Sequence, residues 1–321
     1  MSFILFILGL VIIIKGGDIF IDSAIIIARK LRVSELIIGA TIVSLGTTLP
    51  EVAASVNASI QGQSQFALGN AIGSIDINTG FILGVLILLS NISINKSLFR
   101  KEGMFLLGFV VLLIVLSMDN LIGRVDGIFL LGLLVIYLYT SAKAFREHSG
   151  VSALPDNDVE LDNISMTRTI FTLIMGAVLL VVGAQLLVDN GVKIATILGI
   201  PSYIISLTLV AFGTSLPELV TSIIALIKKH QSLSVGNIIG ANVLNIGLAT
   251  SLSAMVNPIT VTDSMLAFDY VITLILVMSS VIFGLIYNGY RKYNGLVLVA
   301  IYVMYIFHLY VGFENMWAII F

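Results

Sequence analysis

Two glutamates, each preceded by a proline and a short run of small and hydroxylated residues, are the side chains of this sequence best suited to chemistry. Glu51 follows G-T-T-L-P, and Glu218 follows G-T-S-L-P. Both lie about halfway along stretches apolar enough to enter a membrane, where an unpaired carboxylate costs on the order of several kcal/mol. A carboxylate kept at that depth is a functional candidate, although neighbouring hydroxyls alone can also satisfy a buried carboxyl group.

The residues around the glutamates favour cation binding. Pro50 and Pro217 have no backbone N–H, so the carbonyls of Gly46 and Gly213, four residues earlier, lose their helical donors. Glycine lets the backbone bend there and lets an ion approach, and unwound backbone is tolerated at membrane depth where it lines a cavity. Each nearby hydroxyl could instead bond back to its own helix. The hydroxyls one helical turn from the glutamates belong to Thr47, Thr48, Thr214 and Ser215.

Two further segments supply amide and hydroxyl oxygens. Ser74 and Asn78 are four residues apart and therefore share one face of a helix. Asn245 stands at the place that matches Asn78, whereas Ala241 stands where Ser74 would be matched. Oxygen ligands without sulfur or imidazole select hard cations such as calcium, magnesium or sodium over zinc or copper. Calcium accepts about six to eight oxygens in irregular geometry, which suits a site built from interrupted helices.

The composition places these residues in an all-α polytopic membrane protein. Of 321 residues, 58% are hydrophobic and 11% are charged, whereas a soluble protein carries about 25% charged residues. The absence of cysteine excludes a disulfide framework and a thiolate site. Apolar stretches of about 20 residues predict membrane helices. Ten are predicted, at 3–28, 36–60, 65–90, 103–118, 127–143, 168–196, 203–228, 232–256, 268–288 and 294–313.

The positive charges predict the orientation of these helices. Lys and Arg are retained in cytoplasmic loops. Both termini are therefore expected on the outer side of the cell membrane. Lys15 remains inside the first helix, where an ion pair with Asp18 would remove the cost of burying either group. Arg124 and Lys193 fall on the outer side. The cytoplasmic side receives Arg29, Lys30, Arg32, Lys96, Arg100, Lys101, Lys143, Arg146, Arg168, Lys228, Lys229, Arg291 and Lys292.

The chain contains an internal repeat. The segment G-T-T-L-P-E-V-A-A-S from Gly46 matches G-T-S-L-P-E-L-V-T-S from Gly213, and G-N-A-I-G-S-I-D-I-N from Gly69 matches G-N-I-I-G-A-N-V-L-N from Gly236, both at an offset of 167 residues. Five helices per copy place the second copy in the membrane upside down, as in transporters whose site lies where the halves meet. We therefore predict halves at 1–146 and 168–321, joined by an acidic cytoplasmic linker at 147–167.

The paired motifs resemble the alpha repeats of the cation/calcium exchanger superfamily, and in particular prokaryotic sodium/calcium exchangers. The resemblance covers nearly the whole chain. It implies a ten-helix inverted-repeat fold, four cation sites around the two glutamates, and a first and a sixth helix that slide as a pair across the other eight. The ligands that it implies are Glu51, Glu218, Thr47, Thr48, Ser74, Asn78, Thr214 and Ser215, with the backbone carbonyls of Ser44 and Ala211.

Three positions depart from the pattern. Asn245, also a candidate ligand, replaces the Asp of several potassium-dependent relatives, so sodium alone is expected as the counter-ion. Ala241 replaces a frequent Ser, which weakens one sodium site. Asp76 is a further candidate ligand, but it lies two residues from both Ser74 and Asn78, and on a regular helix it faces away from them. Unwinding near Gly73 would turn it inward.

The predicted function is alternating-access antiport of calcium against sodium. Proton/calcium exchange is the alternative, because both glutamates could take up protons instead of sodium, and a cation channel is a less favoured one. An enzyme is not expected, since the sequence has no H-E-x-x-H, G-x-S-x-G or G-x-G-D motif. The expected partners are calcium and sodium ions and the lipid bilayer, with no cofactor and no nucleic acid, and the chain is expected to act as a monomer.

Overall fold

The computed structural model describes residues 1–148, 164–199 and 211–311 of the chain. The helices that build the site and its access are labelled α1 to α10, and a single helical turn, Ala211–Gly213, precedes α7. Four short strands are β1 Ile92–Ser93, β2 Leu121–Ile122, β3 Ile259–Thr260 and β4 Gly289–Tyr290. The helices are α1 Ser2–Lys30, α2 Glu35–Ile60, α3 Ser64–Leu89, α4 Lys96–Leu116, α5 Arg124–His148, α6 Met166–Ile197, α7 Leu216–Ile227, α8 Gln231–Val256, α9 Met265–Ile286 and α10 Lys292–Val311.

Within the described ranges, eight helices are long and apolar enough to cross a membrane. They agree with eight of the ten predicted spans to within a few residues. Helix α4 falls outside this set because Lys96, Arg100, Lys101 and Glu102 crowd its first two turns. The first residues of the seventh predicted span, 203–210, lie outside the described residues, as does most of the predicted linker at 147–167.

Four helices contain π-helical turns that the sequence did not predict: Gly39–Val43 in α2, Ile77–Ile82 in α3, Asn245–Thr250 in α8 and Met265–Asp269 in α9. Such turns are rare and occur frequently at functional sites, because they displace part of the hydrogen-bond ladder. The turn in α3 contains Asn78, and the turn in α8 begins at Asn245. The wider helical turn thus coincides with the amide residues predicted to bind an ion.

The backbone around the two prolines differs between the copies. Unwinding was expected in both, but Ser44–Ile60 is a continuous helical segment with Pro50 inside it. In the second copy, a turn at Thr214 and Ser215 separates Ala211–Gly213 from α7. Pro217 lies in the first turn of α7, where a missing N–H breaks no helical bond. The prediction of an interrupted helix is therefore confirmed for the second copy and wrong for the first.

Helices α1 and α6 pack against each other backbone to backbone. A Cβ atom built on Gly16 would lie 2.8 Å from the backbone nitrogen of Leu180, and one built on Gly183 would lie 2.5 Å from that of Ile13. Gly16 and Gly183 are equivalent positions of the repeat. Any side chain at either position would push the two helices apart, so glycine makes α1 and α6 a closely joined pair.

The ends of the helices repeat as well. Arg32 and Gly199, 167 residues apart, both have a positive φ (51° and 77°), as do Gly62 and Lys229 (80° and 67°). Two antiparallel ribbons, β1 with β4 and β2 with β3, tie the loops between the helices together. The repeat seen in the sequence thus extends to the local backbone conformation.

Candidate ion-binding site

Glu51 of α2 is fully buried and is held by side chains from three other segments. Its Oε1 accepts hydrogen bonds from the Ser74 hydroxyl at 2.9 Å and from the Ser215 hydroxyl at 3.2 Å. The side-chain amide of Asn245 donates to Oε2 at a longer 3.5 Å. Helices α3 and α8 and the turn before α7 therefore converge on one carboxylate, as the predicted ligand set requires.

Glu218 of α7 is also fully buried but is held by fewer groups. The Thr48 hydroxyl donates to its Oε1 at 3.2 Å. Its Oε2 has no hydrogen-bond partner in the part of the chain that the structure describes. Ala241, at the repeat position of Ser74, offers no hydroxyl, and the Asn78 amide, at the repeat position of Asn245, donates to Asn242 instead of to Glu218. The two glutamates lie close enough to repel each other when both are charged.

Two asparagines add acceptor atoms beside the glutamates. Asn78 and Asn245 are fully buried, and the Oδ1 of each has no partner among the described residues. The Asn78 amide is fixed because it donates to the Asn242 side-chain oxygen at 3.1 Å, while Asn242 donates to Thr79 at 2.8 Å. A buried acceptor without a donor is costly, and a cation supplies the missing positive charge. The arrangement thus fits a cation with oxygen ligands.

Asparagines of the repeated G-N motifs have a positioning role that the sequence analysis missed. The Asn237 amide donates to the Ser222 hydroxyl at 3.1 Å, which joins α8 to α7. Asn70, its repeat equivalent, donates to Ser55 at 3.0 Å and joins α3 to α2. The repeated G-N pair next to the glutamate motif was the signal that could have revealed this role. These bonds fix the helices that carry the predicted ligands.

The remaining predicted ligands lie at the edge of this network. The Thr47 hydroxyl donates to the backbone carbonyl of Ser44 at 3.2 Å and to Asn237 at 3.3 Å. Thr214 is half-buried and lines a cavity. Ala211 is the first residue of the helical turn Ala211–Gly213, and its backbone lies just before the interrupted segment.

A cavity lies beside this cluster of side chains. Its volume is about 350 Å³. Pro50, Thr214 and Pro217 line it next to the glutamates, and Gln185 and Asp189 of α6 line it on the other wall. Asp189 and Gln185 are exposed. The cavity therefore adjoins the prolines that precede Glu51 and Glu218 and has a carboxylate on its opposite wall.

Asp76 lies on a different face of α3. It is fully buried, and the groups that face it are Thr273 and Asp269 of α9 and Tyr302 and Tyr305 of α10. None of the described groups makes a hydrogen bond of good geometry to either of its carboxylate oxygens. The segment Ser64–Asp76 of α3 is a regular α-helix, so Asp76 does not turn toward Ser74. This is the arrangement expected for a regular helix.

The fold and the site define a class. Apolar helices that can cross a membrane surround two buried carboxylates, hydroxyls and amides, as in membrane proteins that handle hard cations. A family model described as sodium/calcium exchanger protein matches residues 1–143 and 168–311. The chain belongs to this family, which is a family of transporters and not of enzymes.

Individual relatives cover almost the entire chain. The sodium/calcium exchanger MaX1 of Methanosarcina acetivorans is 37% identical over 343 residues, with 95% of this chain and 97% of the relative covered. The inner membrane protein YrbG of Escherichia coli is 35% identical over 287 residues, covering 88% and 87%. A solved structure of the sodium-calcium exchanger NCX_Mj, soaked with 10 mM Na⁺ and zero Ca²⁺, matches with a TM-score of 0.82 at 33% identity over 94% of this chain and 97% of that one.

Proposed function

We propose that this chain is a secondary active antiporter that exchanges calcium for sodium by alternating access at the paired glutamates. The observation that carries the proposal is the convergence of Glu51 and Glu218 with hydroxyl and amide oxygens in one buried cluster, three of whose acceptors have no donor among the described residues. The similarity to exchangers named for sodium and calcium supports it.

The charges of the cluster suit the exchange of one divalent cation for several monovalent ones. Two carboxylates balance a single calcium ion, and the hydroxyl oxygens of Ser74 and Ser215 lie within hydrogen-bonding distance of Glu51. Calcium uses carboxylate, carbonyl and hydroxyl oxygens together. When calcium leaves, the two glutamates repel each other unless monovalent cations replace it. The same groups thus bind both ions, and the two ions compete.

The architecture that we propose for this exchange is the ten-helix inverted repeat. The two halves, 1–146 and 168–321, supply one glutamate each, and α1 with α6 slides across the remaining helices. Both termini lie outside the cell membrane, because the basic loops are cytoplasmic. The ligand set is Glu51, Glu218, Thr47, Thr48, Ser74, Asn78, Thr214, Ser215 and Asn245, together with the carbonyls of Ser44 and Ala211.

Uptake of calcium into proteoliposomes tests the proposal. Vesicles loaded with sodium and diluted into sodium-free medium with calcium should take up calcium, whereas vesicles loaded with potassium should not. A proton gradient of equal size, imposed without sodium, should drive little uptake. Full uptake driven by protons alone would establish the proton/calcium alternative, and gradient-independent calcium leak would indicate a channel.

A matched variant controls for the substitution itself. Glu102 of α4 is 1% exposed, and its neighbours include Tyr137 outside the ion site. Glu102→Gln neutralises a buried glutamate just as a change at Glu51 does. We expect Glu102→Gln to retain sodium-driven uptake. A loss of uptake in Glu51→Gln would then result from the change at the ion site and not from burying an amide.

A further inference from the structure

The two sides of the ion site are not equally accessible. On the side of the cavity, which we call the open side, Ala54 and Val188 are half-buried and line the passage. Their repeat equivalents on the closed side, Thr221 and Ile21, are 0% and 1% exposed. A Cβ atom built on Gly46 would lie 2.6 Å from the Phe20 ring, and one built on its equivalent Gly213 would meet a methyl group of Val188, so the difference between the sides lies in exposure. Among the described residues, the two sides therefore differ: Ala54 and Val188 line a cavity, and their repeat equivalents are buried.

An ion pair spans the closed side between α1 and the end of α7. The Lys228 ammonium lies 2.6 Å from a carboxylate oxygen of Asp18 and 2.5 Å from one of Asp22. The sequence suggested an ion pair between Asp18 and Lys15. In the structure, Asp18 instead pairs with Lys228, which follows α7. Burial lowers the pKa of Lys228, but its hydrogen bonds to the two carboxylates raise it more, so the net pKa is raised. Lys228 therefore carries its charge at physiological pH.

The open side lacks this cation at the equivalent position. Asp18 and Asp22 correspond to Gln185 and Asp189, the exposed residues of the cavity, and Lys228 corresponds to Gln61. Gln61 and Lys228 end their helices in the same way, since each is followed by a residue of positive φ. The two turns have the same backbone shape. Lys228 contributes an ammonium group that reaches α1, whereas Gln61 at the equivalent turn carries no charge. The difference between these two turns therefore lies in their side chains and not in their backbone.

The ion pair spans the interface between α1 and α7, which is formed by side chains. Gly17 of α1 faces the tips of Ile224 and Val220 of α7, whereas α1 and α6 meet through their backbones. A contact between side-chain tips can slide more easily than one between interlocked backbones. If α1 and α6 move as a pair, the bonds of Lys228 to Asp18 and Asp22 must break.

We propose that Lys228 is a positioning residue that holds α1 through Asp18 and Asp22, and so favours the conformation in which the ion site opens past Asp189. This inference rests on the proposed function in one respect, that the site alternates between two sides. The side chains of the three residues are 26%, 45% and 55% exposed for Lys228, Asp18 and Asp22. At that exposure the two pairs together bias the two conformations by roughly threefold or more.

Thiol labelling of single-cysteine variants measures this bias directly, because the chain has no cysteine of its own. Ala54→Cys reports on the open side and Thr221→Cys on the closed side. In detergent solution, a water-soluble maleimide reaches both faces, and neither an ion gradient nor transport is needed. We expect Lys228→Gln, which copies the residue at Gln61, to slow labelling at position 54 and to speed labelling at position 221 by about threefold each.

Two controls separate a bias from a loosened fold. Lys229→Gln removes the adjacent charge, which is in a turn of positive φ, and should leave both rates unchanged. Lys228→Arg keeps the charge and should restore the original rates. Val188→Cys and Ile21→Cys form a second pair of reporters in case Thr221→Cys does not fold. Rates that stay the same, or that rise on both sides, in Lys228→Gln would overturn the proposal. A chain that fails to exchange calcium for sodium could still pass or fail this labelling test.

Discussion

The two glutamates occupy equivalent positions of a repeated sequence, yet their surroundings differ. Glu51 lies in a continuous helix and receives hydrogen bonds from Ser74, Ser215 and Asn245. Glu218 follows an interrupted segment and receives one from Thr48, and its second oxygen has no partner among the described residues. Two donors differ: Ala241 stands where Ser74 would be matched, and the Asn78 amide donates to Asn242, whereas its equivalent Asn245 donates to Glu51.

The comparison indicates a division of roles. The Glu51 side is preorganised, since its carboxylate is oriented by several donors before any ion binds. The Glu218 side has an acceptor without a donor among the described residues, and its helix is interrupted next to the cavity at Thr214. We therefore expect changes at the two copies to have unequal effects, although both glutamates are required.

The largest effect is expected from neutralising either glutamate. Glu51→Gln and Glu218→Gln should each lower sodium-driven calcium uptake by about 100-fold or more, because each removes half of the charge that balances calcium. The protein should remain folded, as measured by size-exclusion chromatography and thermal unfolding, since a buried amide is cheaper than a buried carboxylate. Near-normal uptake from either variant would remove that glutamate from the site.

A third carboxylate should sharpen the difference between the copies. Asn245→Asp places an acid next to Glu51 Oε2, where Asn245 now lies at 3.5 Å. The added charge should tighten apparent calcium affinity by about tenfold and make exchange sensitive to potassium. Calcium uptake measured with potassium added on the calcium side checks this. An unchanged dependence on both ions would show that position 245 does not contact them.

Restoring the missing hydroxyl should make the copies more alike. Ala241→Ser offers a donor on the Glu218 side, and Ser74→Ala removes the equivalent donor from Glu51. A hydrogen bond contributes a net free energy of about 0.5–1.5 kcal/mol, so shifts of roughly threefold to tenfold in sodium affinity are expected. Sodium titrations of calcium uptake should show opposite directions for the two variants. Shifts in the same direction would contradict the assigned partners.

The smallest effect is expected at Asp76, the acid that only the first copy carries. Because it faces α9 and α10, Asp76→Asn should change calcium affinity by less than about twofold. Its oxygens lack partners among the described residues, so thermal stability should stay the same or rise by about 1–3 kcal/mol. If apparent calcium affinity falls strongly while stability is retained, Asp76 belongs to the ion site.

Much of this could be predicted from the sequence, because the determinants are local or repeated. Long apolar stretches defined eight spans, and the 167-residue offset identified the two glutamate motifs. The π-helical turns at Asn78 and Asn245 could not be predicted, because they depend on packing between helices and not on propensity. For the same reason, the pairing of Asp18 with Lys228 across α1 and α7 was missed.

The interrupted helix shows where local reasoning fails in one copy only. Pro50 and Pro217 stand in nearly identical sequences, but Pro217 lies in the first turn of its helix and Pro50 lies inside one. The motif alone cannot tell these cases apart, since the two sequences are nearly identical. A proline inside a helix weakens it without always breaking it.

Calcium binding to the purified protein, titrated at increasing sodium concentrations, tests the central claim most directly, because it asks whether one cluster holds both ions. We predict that sodium raises the apparent Kd for calcium steeply, with the number of bound calcium ions unchanged at saturation, and that Glu218→Gln abolishes binding while Glu102→Gln preserves it. Calcium binding that is indifferent to sodium, or that survives in Glu218→Gln, would contradict a shared site at the paired glutamates.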